Sequence, residues 1–206
     1  MNNTERKKHW DTIYTNKTPS EVSWTQETPS LSLSMIESLA LSKDAPIIDV
    51  GGGESQLVDH LLTMGFTDLT VLDISAEALE RSKKRLGDKA TQIDWIVADI
   101  TSFKPKRNYT LWHDRAVFHF LTEKDSIEYY TNMVRENVGE HLLLSTFSLD
   151  GPQKCSGLPI KQYSASSLNA VFSASFDLIK SAEEIHNTPF ETTQAFIYCH
   201  FKQNRP

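Results

Sequence analysis

The chain has 206 residues, of which 39% are hydrophobic and 23% charged, with a formal net charge of −6. That length supports one domain with a sizeable buried core, and the balance fits a globular chain rather than a disordered one. The acidic balance, without a block of roughly five or more basic residues, argues against nucleic acid as the main partner, because phosphate contacts demand a basic surface. The densest basic stretch, residues 81–85, reads as the solvated face of a helix. Cys155 and Cys199 are too few for a disulfide framework and form no CxxC pair, so no metal site is expected and a cytoplasmic location is the natural expectation. The N-terminal MNNTERKKHWD lacks the apolar segment of a signal peptide. No stretch approaches the roughly 18 apolar residues of a membrane span.

In chain order, residues 1–42 read as a helical cap and 43–206 as the core of a single domain. The first strand is predicted at 46–50, followed by Leu57, Val58, Leu61 and Leu62 at helical spacing and a stop at Gly65. A second strand covers 69–73. Ser75 then caps a helix that Gly87 ends. Further strands follow at 93–97, 109–113 and 141–147, with a helix from a Thr122–Asp125 capping box to about Glu136 between the last two. Residues 148–163, with two glycines and two prolines, form the longest loop, a candidate lid or binding loop. Ser164 caps a short helix through Val171. Strands at 176–185 and 193–201 come last, and the connection at 187–190 is too short for a helical crossover, so this pair is antiparallel. Strands alternating with helices predict an α/β fold with a mostly parallel sheet of seven strands, closed by that antiparallel hairpin.

Three stretches at strand ends carry the chemistry. Asp49-Val-Gly51-Gly52-Gly53-Glu-Ser55 ends the first strand; its glycines let the backbone turn sharply and approach a ligand at the following helix N-terminus. Asp73 ends the second strand, where a carboxylate can accept hydrogen bonds from both ribose hydroxyls of a nucleoside. Val97-Ala-Asp99-Ile100 ends the third. A nicotinamide dinucleotide enzyme would share the first two features, but its GxGxxG fingerprint needs a small residue where Gln56 stands.

DVGGGES, VLDIS and VADI resemble the cofactor motifs of class I S-adenosylmethionine-dependent methyltransferases, and the resemblance runs from about His9 to Phe201. It implies the Rossmann-like class I fold and S-adenosylmethionine as cofactor. Asp49 matches the acidic position of the first motif on the cofactor side; the loop Gly51 to Gly53 would contact the methionine part, Asp73 the ribose, Ile74 the adenine face, and Asp99 with Ile100 the adenine edge. Ser55 departs from the family's third glycine. Trp10, Tyr14 and Trp24, in HWDTIY and VSW, resemble the aromatic N-terminal segments of thiopurine and small-thiol methyltransferases, and also part of the small lysine methyltransferases. They would form an aromatic wall over the cofactor.

The fourth strand leads into Trp112-His113-Asp114-Arg115-Ala-Val-Phe-His119-Phe, without the (D/N)PP(Y/F) sequence of base and glutamine amino-methylation. This stretch also resembles thiopurine and small-thiol methyltransferases. His113, Asp114, Arg115 and His119 are therefore the candidates around the acceptor, with His113 also beside the cofactor. His113 and His119 can accept a proton, and Arg115 can hold an anion or favour a thiolate; Asp114 can equally pair with Arg115 or a helix end. If a helix begins at Arg115, then Arg115 and His119 share one face. The expected activity is methyl transfer to a small-molecule nucleophile, a thiol among the candidates. Protein-lysine methylation is the alternative, so a protein substrate stays open. A non-catalytic cofactor-binding module and a nicotinamide oxidoreductase complete the set.

Overall fold

The computed structural model describes residues 1–204, which fall into two compact units. The first comprises Met1–Phe103 with Thr188–Glu191, and the second Lys104–Asn187 with the chain from Thr192 onward.

In the first unit, helices α1 (Asn3–Asn16) and α2 (Ser30–Ser38) precede β1 (Ile47–Val50), α3 (Leu57–Thr63), β2 (Leu69–Asp73), α4 (Ala76–Leu86) and β3 (Ile93–Val97). Every residue of β1 and β2 is buried, which explains their near-continuous apolar runs, and β2 pairs in parallel with both β1 and β3. Ser75 caps α4 as expected, its hydroxyl accepting from the Ala78 N–H. Gly87 ends that helix at φ +57°. The basic residues on α4 are partly or fully exposed, as expected of a solvated face, and two of them also bind the neighbouring loop. Arg81 donates to Glu54, and Arg85 donates to the carbonyls of Glu54 and Ser55, so both arginines hold the end of the glycine loop.

The second unit contains β4 (Tyr109–Arg115), α5 (Lys124–Asn137), β5 (Val138–Phe147), the two-residue strands β6 (Lys154–Cys155) and β7 (Leu158–Pro159), α6 (Ala165–Phe172), β8 (Phe176–Asn187) and β9 (Thr193–Gln203). Its core is aromatic: Phe118 lies 4.9 Å from Tyr130 and 5.3 Å from Phe172, which lies 5.4 Å from Phe201. β5 runs parallel to β4, whereas β9 is antiparallel to both β5 and β8, as the short connection required. The expected capping box at Thr122 does not form; α5 starts after Glu123, without a side-chain cap. Ser164 does cap α6, through a capping box with Ser167. The long loop is not irregular throughout, because β6 and β7 make a small hairpin across Ser156 and Gly157, both at positive φ.

The seven long strands stand in the order β3-β2-β1-β4-β5-β9-β8, the mostly parallel α/β sheet with a C-terminal antiparallel pair predicted from the sequence. Among the described residues no helix is long and apolar enough to cross a membrane.

Candidate active site

After β1 the chain turns on Gly51 at φ +70° and Gly53 at φ +38°, conformations that an L side chain adopts only with strain. The N–H groups of Gly51 and Gly52 both donate to the Leu72 carbonyl, which locks the loop to β2. A Cβ on Gly52 would stand 2.6 Å from Asp49 Oδ2, and one on Gly53 would stand 2.7 Å from Asp73 Oδ2 and 3.1 Å from the Tyr14 hydroxyl. Asp49, the glycine loop, Asp73 and Tyr14 are thus one cluster in the first unit. Ile74, next to Asp73, stays partly exposed.

Asp73 is nearly enclosed and accepts from the Ser75 N–H through Oδ1. Burial, then the neighbouring charges of Asp49 and Asp11, raise its pKa to about 7. Three aromatic residues meet in this unit: Trp10 lies 6.4 Å from Tyr14 and 5.8 Å from Trp24. Asp99 lies two residues past the end of β3, beside the buried Ile100, and it meets a residue that sequence reasoning missed. Arg6 of α1 donates to Asp99 Oδ2 at 2.8 Å.

In the second unit β4 continues two residues beyond its predicted end, through Asp114 and Arg115. Ala116 then turns the chain at φ +72°, and a short 3-10 helix covers Phe118–Phe120. No helix starts at Arg115, so the shared helical face expected for Arg115 and His119 does not exist. The pair nevertheless ends up close, since the Arg115 charge acts on the His119 ring.

Asp114 is fully enclosed. Its Oδ2 accepts from the Tyr130 hydroxyl at 2.6 Å, and its Oδ1 accepts from the Val117 and Phe118 N–H groups. Burial nevertheless raises its pKa to about 6. This carboxylate pins the turn after β4 rather than pairing with Arg115. Arg115 instead donates through Nε to the Tyr198 hydroxyl at 2.8 Å, and its guanidinium lies 4.5 Å from the centre of the Phe196 ring. Tyr198 in turn donates to Glu184. Nothing in the local sequence flags Tyr198, Glu184 or Tyr130; strand and helix packing bring them in.

His119 is fully buried, and its Nδ1 accepts from the Phe147 N–H. Desolvation, with help from Arg115, lowers its pKa to about 3, so the ring is neutral and its proton sits on Nε2. His113 is buried on β4. Cys155 and Cys199 are free, buried thiols; burial pushes each up to about 12, and Arg115 is near enough to Cys155 to oppose that rise. His141 and His200, unrelated in sequence spacing, meet across β5 and β9 with ring nitrogens 3.0 Å apart. Among the described residues no three potential metal ligands converge.

Residues 47–136 match the family of methyltransferase domains. A solved S-adenosylmethionine-dependent methyltransferase from Anabaena variabilis is 16% identical, with 99% of this chain and 96% of that one covered at a TM-score of 0.76. The N-methyltransferase NodS from Bradyrhizobium japonicum, solved with S-adenosylhomocysteine, is 13% identical, with 100% of both chains covered at 0.67. The 1,6-didemethyltoxoflavin-N1-methyltransferase from Burkholderia thailandensis is 13% identical, with 100% of this chain and 92% of that one covered at 0.69. At these identities the likeness is one of fold. No protein of curated function matches the chain.

The domain match covers residues 47–136, and the fold around it is that of the solved S-adenosylmethionine-dependent methyltransferases. The chain's own residues fit that cofactor. The loop leaves space that a Cβ would fill, and one Asp73 oxygen is engaged by Ser75 while the other faces Gly53.

Proposed function

We propose that the enzyme methylates a small-molecule nucleophile, a thiol in preference to an amine or hydroxyl, at the carboxyl end of β4. The observation that carries this reading is Arg115, braced by Tyr198 and Phe196 where β4 ends. In open α/β sheets ligands bind outside the carboxyl ends of the strands. When bound, S-adenosylmethionine supplies a sulfonium-activated methyl group, whose carbon–sulfur bond breaks as the acceptor's lone pair forms the new bond.

The chain's part is to bind the acceptor, orient it and ease loss of its proton. Arg115 favours an anionic acceptor. His119 does not serve as the base, because its Nδ1 already accepts a hydrogen bond and its pKa lies near 3. His113 remains the candidate to take a proton. Asp114 acts by holding the turn that places Arg115. With so little base strength in view, an acceptor that ionises readily fits best, and a thiol does so far more easily than an alcohol. The toxoflavin enzyme, solved with its small-molecule acceptor bound, supports an acceptor of that size. Asp49 with Gly51, Gly52 and Gly53, Asp73 with Ile74, Asp99 with Ile100, and the cluster of Trp10, Tyr14 and Trp24 form the cofactor side, to which His113 is also assigned.

The test is transfer of a radiolabelled methyl group to matched thiols, amines and alcohols, with total cell protein in parallel. Label on thiols is expected, and Arg115→Ala lowers kcat/KM about tenfold or more while S-adenosylhomocysteine affinity holds. Label on protein alone would overturn the small-molecule reading and leave a lysine acceptor.

A further inference from the structure

Helix α1 buries only Tyr14; besides the aromatic contacts of Trp10 and Tyr14 with Trp24, polar groups attach it. Asn3 donates to the Ser102 hydroxyl, Ser75 donates to Asp11, and Arg81 donates to the Lys17 carbonyl just past the helix end. Arg6 is the centre of this attachment. Its Nε donates to Asp99 Oδ2 and its Nη2 to Thr101 Oγ1, each at 2.8 Å. Its remaining donors hold Asn3 and the Met1 carbonyl, so the guanidinium is fixed from both sides.

Asp99 is the acid assigned above to the adenine edge, and its lone pairs can be counted. A carboxylate offers roughly four acceptor positions. Oδ1 accepts from the Thr101 N–H at 2.9 Å and the Thr101 hydroxyl at 2.7 Å. Among the described residues Oδ2 accepts from Arg6 alone. One position is left, on Oδ2, and it suits the amino N–H of an adenine. Arg6 therefore does not displace the nucleobase; it fixes the carboxylate plane so that the remaining lone pair has a defined direction.

We propose that Arg6 is a positioning residue of the nucleoside site, which orients Asp99 and links the docking of α1 to cofactor binding. This rests on the cofactor reading of Asp99. A ligand that binds only when α1 is docked holds the helix down, and loss of the Arg6 attachment weakens apparent affinity in proportion to the undocked fraction.

The experiment titrates S-adenosylhomocysteine and S-inosylhomocysteine, which carries a 6-oxo group in place of the amino group, into wild type, Arg6→Ala and Arg6→Lys by calorimetry. Tryptic cleavage after Lys7 and Lys8 is followed with and without S-adenosylhomocysteine. In the wild type the ligand slows cleavage and the amino compound binds more tightly than the oxo compound. Arg6→Ala weakens S-adenosylhomocysteine about tenfold or more, narrows the amino-to-oxo ratio and loses the protection, while Arg6→Lys recovers part of each. Equal affinity in Arg6→Ala, with cleavage in the wild type indifferent to ligand, overturns the proposal and leaves the cofactor reading intact. Should Arg6→Ala not fold, wild-type protection and the Arg6→Lys ratio decide the matter alone. Failure of the wild type to bind S-adenosylhomocysteine overturns the cofactor reading and this proposal with it.

Discussion

Asp73 and Asp114 are both enclosed carboxylates with raised pKa values, about 7 and about 6, yet they differ in what surrounds their oxygens. Asp114 has three donors from its own chain, whereas Asp73 has the Ser75 N–H and a second oxygen turned to the glycine loop. For Asp73 the folded pKa stands above the unfolded aspartate value of about 3.9, so the folded protein holds a proton that the unfolded chain has released. Its contribution to stability is greatest below about pH 4 and falls as the pH rises toward 7. Ligand binding runs the other way. Ribose hydroxyls donate to the carboxylate, so S-adenosylhomocysteine affinity is expected to rise up to about tenfold per pH unit below pH 7 and to level off above it. Calorimetry between about pH 5.5 and 8.5 measures the slope. An Asp73→Asn protein with an unchanged slope would assign the titration to another group.

Among the elements, the loop after β1 is the one whose backbone tolerates least. Gly53→Ala must hold a left-handed conformation and bring a methyl group to 2.7 Å from Asp73 Oδ2. Backbone strain of this kind costs about 1–3 kcal/mol, which lowers Tm by roughly 2–12 °C for a chain of this size. S-adenosylhomocysteine binding is expected to drop sharply as well. Gly87→Ala is the control: its φ is +57°, but a Cβ there meets nothing within 4 Å, so stability falls and ligand affinity stays. A Gly53→Ala protein that binds normally would show that the loop does not approach the cofactor. The glycine loop, the Ser75 and Ser164 caps and the antiparallel final pair were legible because each is set by local backbone chemistry. The turn after β4 was not. Ala116 takes φ +72° because Asp114 accepts from the next turn's N–H groups and Tyr130 closes over that carboxylate, sixteen residues away in sequence.

For the molecule as a whole, a ligand that binds only the folded state stabilises it by mass action. At a hundred times its dissociation constant, S-adenosylhomocysteine is expected to add about 2.7 kcal/mol, or roughly 5–11 °C in Tm. NAD is expected to leave Tm unchanged, since Gln56 stands where the dinucleotide fingerprint requires a small residue. A thermal melt with each ligand settles this; a shift with NAD and none with S-adenosylhomocysteine would reverse the cofactor assignment. The candidate cofactor residues, His113 apart, all lie in the first unit, and the candidate acceptor residues all lie in the second.

The sequence by itself determined the sheet class and the order of strand-end motifs, which follow from periodicity, turn chemistry and residues within a few positions of one another; the cofactor was implied by the resemblance of those motifs to class I methyltransferases. Only the tertiary structure decided what the polar side chains do. Arg6 meets Asp99 across 93 positions and Arg115 meets Tyr198 across 83, distances over which sequence spacing holds no geometric information. Burial made the same distinction for His119. In the sequence it is a histidine able to take a proton; enclosed beside Phe147 and near Arg115, it is held neutral, because the interior disfavours the charged ring and a neighbouring cation disfavours it further.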